Sequence, residues 1–284
     1  MQLSQFLTDV QHYPFLQNAL LTGLLAGVAC GIIGTYIVVR RISYLADGIA
    51  HSVLGGMGAA LYLQKVYHWQ GAVPIHGALV SAVIAAIIIG LVSLWAKQRE
   101  DTVISALWAV GMAIGIVFIS RTPGYNEDLM GYLFGNILMV SSDDLWMLVA
   151  LDAIAVSMGL LFYNQFLAVC FDDEFARLRG LRVELFYLLL LCLAALTVVV
   201  LATVVGIVMV IALLTLPVGI AALFSTTMWR IMLISSGLCA IFTTSGLALS
   251  YGPDYPAGAT TIIIAGAAYL AATTFKWALG RGRS

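Results

Sequence analysis

Asp47 and His51 are the residues of this sequence best placed to do chemistry. In Leu45-Ala-Asp47-Gly-Ile-Ala-His51 they stand four residues apart. On a helix that spacing stacks carboxylate and imidazole on one face, with about 5–6 Å between Cβ atoms. One oxygen ligand beside one nitrogen ligand suits a borderline divalent ion such as zinc or manganese. Three readings stay open on spacing alone: metal ligands, a proton relay, or an Asp–His hydrogen bond that locks two helices. Two ligands hold a metal weakly, but a two-fold dimer that brought two such helices together would supply two aspartates and two histidines. Gly48, Gly55, Gly56 and Gly58, with Ser52, make the helix thin enough for close helix approach.

A second acid, Asp152, falls within an apolar stretch and is a candidate for the lining of a path or for a pair with a neighbouring helix. His12, His68 and His76 lie beside expected loops and read as surface residues. Glu127, Asp128, Asp143, Asp144 and Asp254 read as solvated loop acids, with attraction of cations to the entrance as the alternative. The three lysines, Lys65, Lys97 and Lys276, follow Gln64, Ala96 and Phe275, so the chain has no G-K-[ST] and no P-loop for ATP. H-E-x-x-H and G-x-S-x-G are missing as well, which argues against common metalloprotease and serine hydrolase sites.

The elements that carry these residues are expected to be transmembrane helices. Of 284 residues 62% are hydrophobic and 10% charged, with a net charge of −1. Soluble domains carry about 25% charged residues, so lipid must be the solvent for most of this chain, and nothing points to nucleic acid. The fold class is all-α: a polytopic membrane protein of eight or nine spans, at about 16–39, 43–63, 77–96, 103–120, 145–169, 185–204, 207–224, 231–251 and 258–275. The sixth and seventh are divided at Val204-Val205-Gly206. Eleven of the thirteen basic residues fall on one face, Lys65 and Arg121 on the other. The positive-inside rule then places the N-terminus outside and the C-terminus in the cytoplasm, with nine spans as the self-consistent count. The chain reads as one transmembrane domain, 1–284: an interfacial segment 1–15, a helical bundle 16–275 and a cytoplasmic tail 276–284. No removable signal is evident. Leu129 to Val140 is too short to cross and suits a re-entrant or interfacial piece shielded by protein. The cysteines Cys30, Cys170, Cys192 and Cys239 show no C-x-x-C spacing and read as small buried residues.

Two cytoplasmic segments look built to touch a partner. One is 171–184, with Phe175, Leu178 and Leu181 at helical spacing. The other is Ser225-Thr226-Thr227-Met228-Trp229-Arg230. Each reads equally well as a short docking helix or an interfacial turn against headgroups.

Across nearly its whole length the sequence resembles the permease subunits of ABC transporters for manganese, zinc and iron, the metal branch of the type II importers. The best segment runs from Gly34 to Gly56 through Asp47 and His51. Further matches are Glu100-Asp-Thr, Gly131-Tyr-Leu-Phe-Gly-Asn, Phe171-Asp-Asp-Glu-Phe-Ala-Arg, Gly206 to Pro217, and Leu249 to Gly258. The resemblance implies a homodimer or pseudo-dimer of permeases, two cytoplasmic ATP-binding subunits, and an extracytoplasmic solute-binding protein, all at the bacterial cytoplasmic membrane. It makes Asp47 and His51 mid-pathway ligands of a transported zinc, manganese or ferrous ion, with no cofactor bound permanently. It assigns ATPase coupling to the stretch after Pro217 (Ser225, Thr226, Thr227, Met228, Trp229, Arg230), with Phe175, Ala176, Arg177 and Gly180 beside it. Many relatives carry Leu-x-Gly-Asp-Ala-x-Ser-His where this chain has Leu45-Ala-Asp47-Gly-Ile-Ala-His51, so the ligand spacing is kept but the flanking packing differs. The expected function is metal import without enzymatic activity in this subunit. The rivals are a proton-coupled secondary transporter, an intramembrane metalloenzyme, and a related permease for a metal chelate.

Overall fold

A computed structural model describes residues 2–96, 100–123, 135, 137–253 and 255–281; all regular structure among them is helical. The helices are α1 (Gln2–His12), α2 (Pro14–Val39), α3 (Ser43–Val66), α4 (Pro74–Leu91, running on as a wider turn to Ala96), α5 (Glu100–Ser120), α6 (Ser142–Leu161), α7 (Tyr163–Phe171), α8 (Asp173–Leu178), α9 (Val183–Val205), α10 (Ile207–Phe224), α11 (Met228–Tyr251) and α12 (Ala257–Arg281). Among the described residues, eight helices are long and apolar enough to cross a membrane: α2, α4, α5, α6, α9, α10, α11 and α12. The expected span 43–63 is α3, which is not among the eight. Asp47, His51, Gln64 and Lys65 dilute its apolar content. Its 24 residues still reach about 36 Å, more than the roughly 30 Å of a hydrocarbon layer.

The packing register shows that α3 traverses the whole bundle. It runs parallel to α5, with Gly48 against Ile104, Gly55 against Gly111 and Gly58 against Gly115. It runs antiparallel to α4, with Gly56 against Gly77 and Ser81, and Ala60 against Gly77. Near one end of the bundle Asn18 donates to the Val140 carbonyl at 3.3 Å, and near the other Tyr36 donates to that of Gly159 at 3.0 Å, so α2 and α6 are parallel too. Two parallel helices need an odd number of traverses between them, and α3, α4 and α5 provide three. Helix α11 is antiparallel to α2, pairing Gly23 with Thr243, Gly27 with Cys239 and Gly31 with Ser236. Helix α12 is parallel to α10, with Tyr269 on Gly219 and Lys276 near Leu223. The start of α2 and the end of α12 therefore lie at opposite ends. Arg40, Arg41, Arg177, Arg179, Arg182, Arg230 and Lys276 gather at the second of these ends. Lys97, Arg99 and Arg283 lie outside the described residues.

Breaks follow local chemistry. The expected single span 145–169 divides at Phe162 into α6 and α7. Between α9 and α10 the expected break stands at Gly206, whose φ of 87° and ψ of 151° belong to a region open almost only to glycine. Pro217 sits inside α10 and cannot bond the Leu213 carbonyl; the Cys239 thiol of α11 donates to that oxygen instead, at 3.5 Å. Of the expected re-entrant piece, 129–134 and 136 lie outside the described residues. Ile137–Met139 forms one 3-10 turn with Ile137 buried, and Gly135 presses on the Val205–Gly206 peptide. The interfacial segment forms α1, tied to α11 by Phe6 edge-on to Tyr251 (5.7 Å) and by the Tyr251 hydroxyl donating to Asp9 at 3.0 Å.

Candidate metal site

Helix α3 carries both candidate ligands. Its residues 48, 52, 55 and 58 form a groove without bulk, and α5 fills it backbone to backbone through Gly111 and Gly115. A Cβ on Gly55 would lie 2.9 Å from the Gly111 carbonyl oxygen, and one on Gly111 would lie 2.6 Å from Ser52 Cα. At the rim of that seam Asp47 Oδ1 lies 3.4 Å from His51 Nε2. The imidazole stacks on the Trp108 ring of α5, centroids 5.2 Å apart and planes at 29°. The Asp47 side chain is 34% exposed and that of His51 17%. His51 Nδ1 is buried without a hydrogen-bond partner among the described residues. Asp47 and His51 are the fifth and ninth residues of α3, so they sit in the half of the bundle next to Arg40 and Arg41, rather than at mid-depth.

Asp152 is not brought to this pair. It lies on α6 against the α2 backbone at Ala29, 8% exposed, with Oδ2 lacking a hydrogen-bond partner. Among the described residues, His, Cys, Asp and Glu form no group of three or more that could hold a metal. His12, His68 and His76 are exposed at the opposite end, as expected for surface residues. The four cysteines are free, and Cys30, Cys170 and Cys239 are buried. A cavity of about 710 Å³ between α2, α6 and α11, bordered by Val28, Val156 and Met232, contains neither the pair nor Asp152.

The two expected docking segments differ. In the first, Asp172 caps α8 by accepting from the Phe175 amide at 2.9 Å. Helix α8 then buries Ala176 and leaves Phe175 and Leu178 50% and 87% exposed. Gly180 ends it with φ 78°. In the second, Ser225–Thr227 is a three-residue connector, and Met228, Trp229 and Arg230 form the first turn of α11 with Met228 buried. The 225–230 stretch is thus no separate helix, because its apolar Met228 is drawn into the core.

The reading of the sequence passed over Trp108, the partner glycines on α5, and Arg40. Gly111-Met-Ala-Ile-Gly115 had the small-xxx-small signal of a tight helix contact. Trp108 and Arg40 carry no signal of that kind.

Comparison with known proteins identifies the family. The model of the ABC 3 transport family matches residues 12–276. The chain is 44% identical to a probable metal transport system membrane protein of Chlamydia trachomatis, over 90% of this chain and 87% of that one. It is 35% identical to the manganese transport system membrane protein MntC of Listeria monocytogenes, over 92% and 90%. Among solved structures it superposes on PsaBC from Streptococcus pneumoniae, determined in complex with a Fab, with a TM-score of 0.82, 29% identity and coverage of 95% and 94%. With the family's model matched from before α2 to the last turns of α12, this multi-pass, all-helical membrane chain belongs to the ABC 3 transport family.

Proposed function

We propose that the chain is the membrane permease of an ATP-driven importer at the bacterial cytoplasmic membrane and that it passes a divalent metal ion, manganese before zinc or ferrous iron, between Asp47 and His51. The observation that carries this is the pair of a partly exposed carboxylate and a largely buried imidazole on a helix locked in place by glycines. Two ligands each roughly 2.1 Å from one ion lie about 3.0 Å apart at an octahedral angle and about 3.4 Å apart at a tetrahedral one, and Oδ1 and Nε2 stand 3.4 Å apart here, within reach of either. The manganese preference is borrowed from the name of the Listeria relative, and oxygen and nitrogen ligands accommodate it.

The pair alone is an incomplete ligand set. A second copy of the chain, applied to the face bearing Asp47, His51 and the exposed flank of α5, would bring two more ligands. That flank shows Trp108, Val110, Ile114 and Val117 to the outside. ATP would be hydrolysed by two separate cytoplasmic subunits seated on α8, since Phe175 and Leu178 offer an apolar knob that the 225–227 connector lacks. A solute-binding protein would deliver the ion at the opposite end. No covalent bond of the cargo changes, so this subunit works as a pathway and not as an enzyme. The ligands replace part of the ion's hydration shell.

Uptake of manganese into vesicles holding the assembled transporter tests this. Asp47→Ala and His51→Ala should each lower uptake by more than about tenfold while ATPase subunits remain bound. Unchanged uptake in both variants would remove the pair from the pathway. Uptake by vesicles lacking any ATPase subunit would favour a secondary transporter instead.

A further inference from the structure

The turn that leads into the metal-bearing helix is fastened to α8 by a single side chain. Arg40 caps the C-terminus of α2. Its Nη1 donates to Asp173 Oδ1 at 3.0 Å and to the Val169 carbonyl at 2.9 Å, and its Nη2 donates to Asp173 Oδ2 at 2.7 Å. The guanidinium also lies over the Tyr187 ring of α9, 5.4 Å from its centroid. Asp173 opens α8 and Val169 belongs to α7, so one residue joins α2, α7, α8 and α9. A bidentate guanidinium–carboxylate fork fixes direction as well as distance, which an ammonium would not.

The path onward to the ligands is short and stiff. Arg41 holds φ 64°, in the left-handed region. The Ile42 amide closes the turn on the Ile37 carbonyl at 3.0 Å, and the Ile42 side chain is buried. Helix α3 starts at Ser43, so Asp47 sits one turn beyond. On its outer side α8 presents Phe175, with the Arg179 guanidinium 4.8 Å from the ring centroid, and Leu178.

We propose that Arg40 and Asp173 form a positioning pair that couples displacement of α8 to the α2–α3 turn, and so sets Asp47 and His51 in register with the state of the ATP-binding subunit. This rests on the reading of the chain as an ABC importer permease. Neither residue touches the cargo. Their work is to make α8 and the turn move as one body, so that a push on Phe175 and Leu178 is delivered to the metal helix and is not absorbed by the 179–182 loop.

The test is the number of manganese ions imported per ATP hydrolysed, in vesicles carrying the full transporter with its ATPase subunits and binding protein. Arg40→Gln and Asp173→Asn should leave assembly and basal ATP hydrolysis within about twofold while the transport ratio falls about tenfold, a coupling loss of ordinary size. Arg40→Lys, which keeps the charge but not the fork, should fall between. A native transport ratio in both neutral variants overturns the proposal. So does a loss of assembly, hydrolysis and uptake in equal proportion, which marks a purely structural bond. If the unaltered transporter imports no manganese with ATP, the underlying reading fails, and that outcome is distinct because it appears before any substitution is made.

Discussion

Two parallel helix pairs in this protein each carry one acid near their contact, and they treat it in opposite ways. Helices α3 and α5 meet backbone to backbone through Gly55, Gly58, Gly111 and Gly115. Their acid, Asp47, stands at the rim, half-exposed, with a histidine beside it. Helices α2 and α6 meet through side chains: Asn18 and Tyr36 bond carbonyls at either end, and Asp152 is enclosed between with an unpartnered oxygen. A glycine seam leaves no room for a bulky polar group inside it, so polar groups on the same helix are displaced to the edge, where a hydrated ion or another chain can reach them. A side-chain seam can bury one carboxylate and leave it out of reach. Both acids lie in membrane helices, and what separates them is access.

The largest contrast is in transport. His51→Ala should cost more than about tenfold in manganese uptake, the order expected when a metal site loses a group. Asp152→Asn, which keeps the shape and removes the ionisable oxygen, should leave uptake within about twofold. It should hold thermal stability, since the amide keeps the shape and the polar character of the group and removes only the cost of burying a charge. A severe transport loss for Asp152→Asn, with normal assembly, would mean that the enclosed acid reaches the ion in another state and would erase the distinction.

Next come the seams themselves. Gly111→Ala sets a methyl 2.6 Å from Ser52 Cα, a backbone atom with nowhere to go. Forcing α5 away costs about 1–3 kcal/mol and lifts Trp108 off His51, so both melting temperature and uptake should fall. Gly159→Ala on α6 meets only the γ2 methyl of Ile32, 3.0 Å away, and then Tyr36 at 3.9 Å. A flexible side chain can yield there, and the loss should stay below about 1 kcal/mol. Thermal unfolding in detergent and parallel uptake assays would separate the two; equal losses would show that the glycine contacts are not special.

Much of this was legible beforehand where one residue type dictates one structure. The Asp-x-x-x-His spacing placed both candidate ligands on one face, and the glycines around it announced a close approach, though not the helix that makes it. Gly206 interrupted forty uncharged residues at the point where the chain breaks. What was not legible depends on distant partners. Arg40 reads in sequence as one of a basic pair marking a cytoplasmic turn, and its fork on Asp173 lies 133 positions away. The stretch 225–230 reads equally as a docking helix or an interfacial turn, yet Met228 finds a buried site and residues 228–230 are absorbed into α11. Helix α3 is the expected span 43–63 although Asp47 and His51 lower its apolar content, and the parallel course of α2 and α6 requires it to cross.

The smallest expected effect lies at the joint between the two seams, where Arg40, Arg41 and Ile42 carry α2 into α3. Arg41 holds φ 64° without being glycine, a conformation that costs an L-residue about 1–2 kcal/mol. Arg41→Gly removes that strain, but glycine also gives the unfolded chain more freedom, worth roughly 0.5–1 kcal/mol. The two nearly cancel, so the melting temperature should shift by only a few degrees, and manganese uptake should stay near native. Arg41→Val is the informative opposite. Its branched Cβ fits the left-handed region poorly, so the turn must either pay the strain or reopen. If the joint transmits position to Asp47, Arg41→Val should lower uptake more than its modest loss of stability accounts for, while Arg41→Gly does not. Matching behaviour of the two variants would show that the conformation at 41 is incidental, and that the α2–α3 connection is held by Arg40 and the buried Ile42 alone.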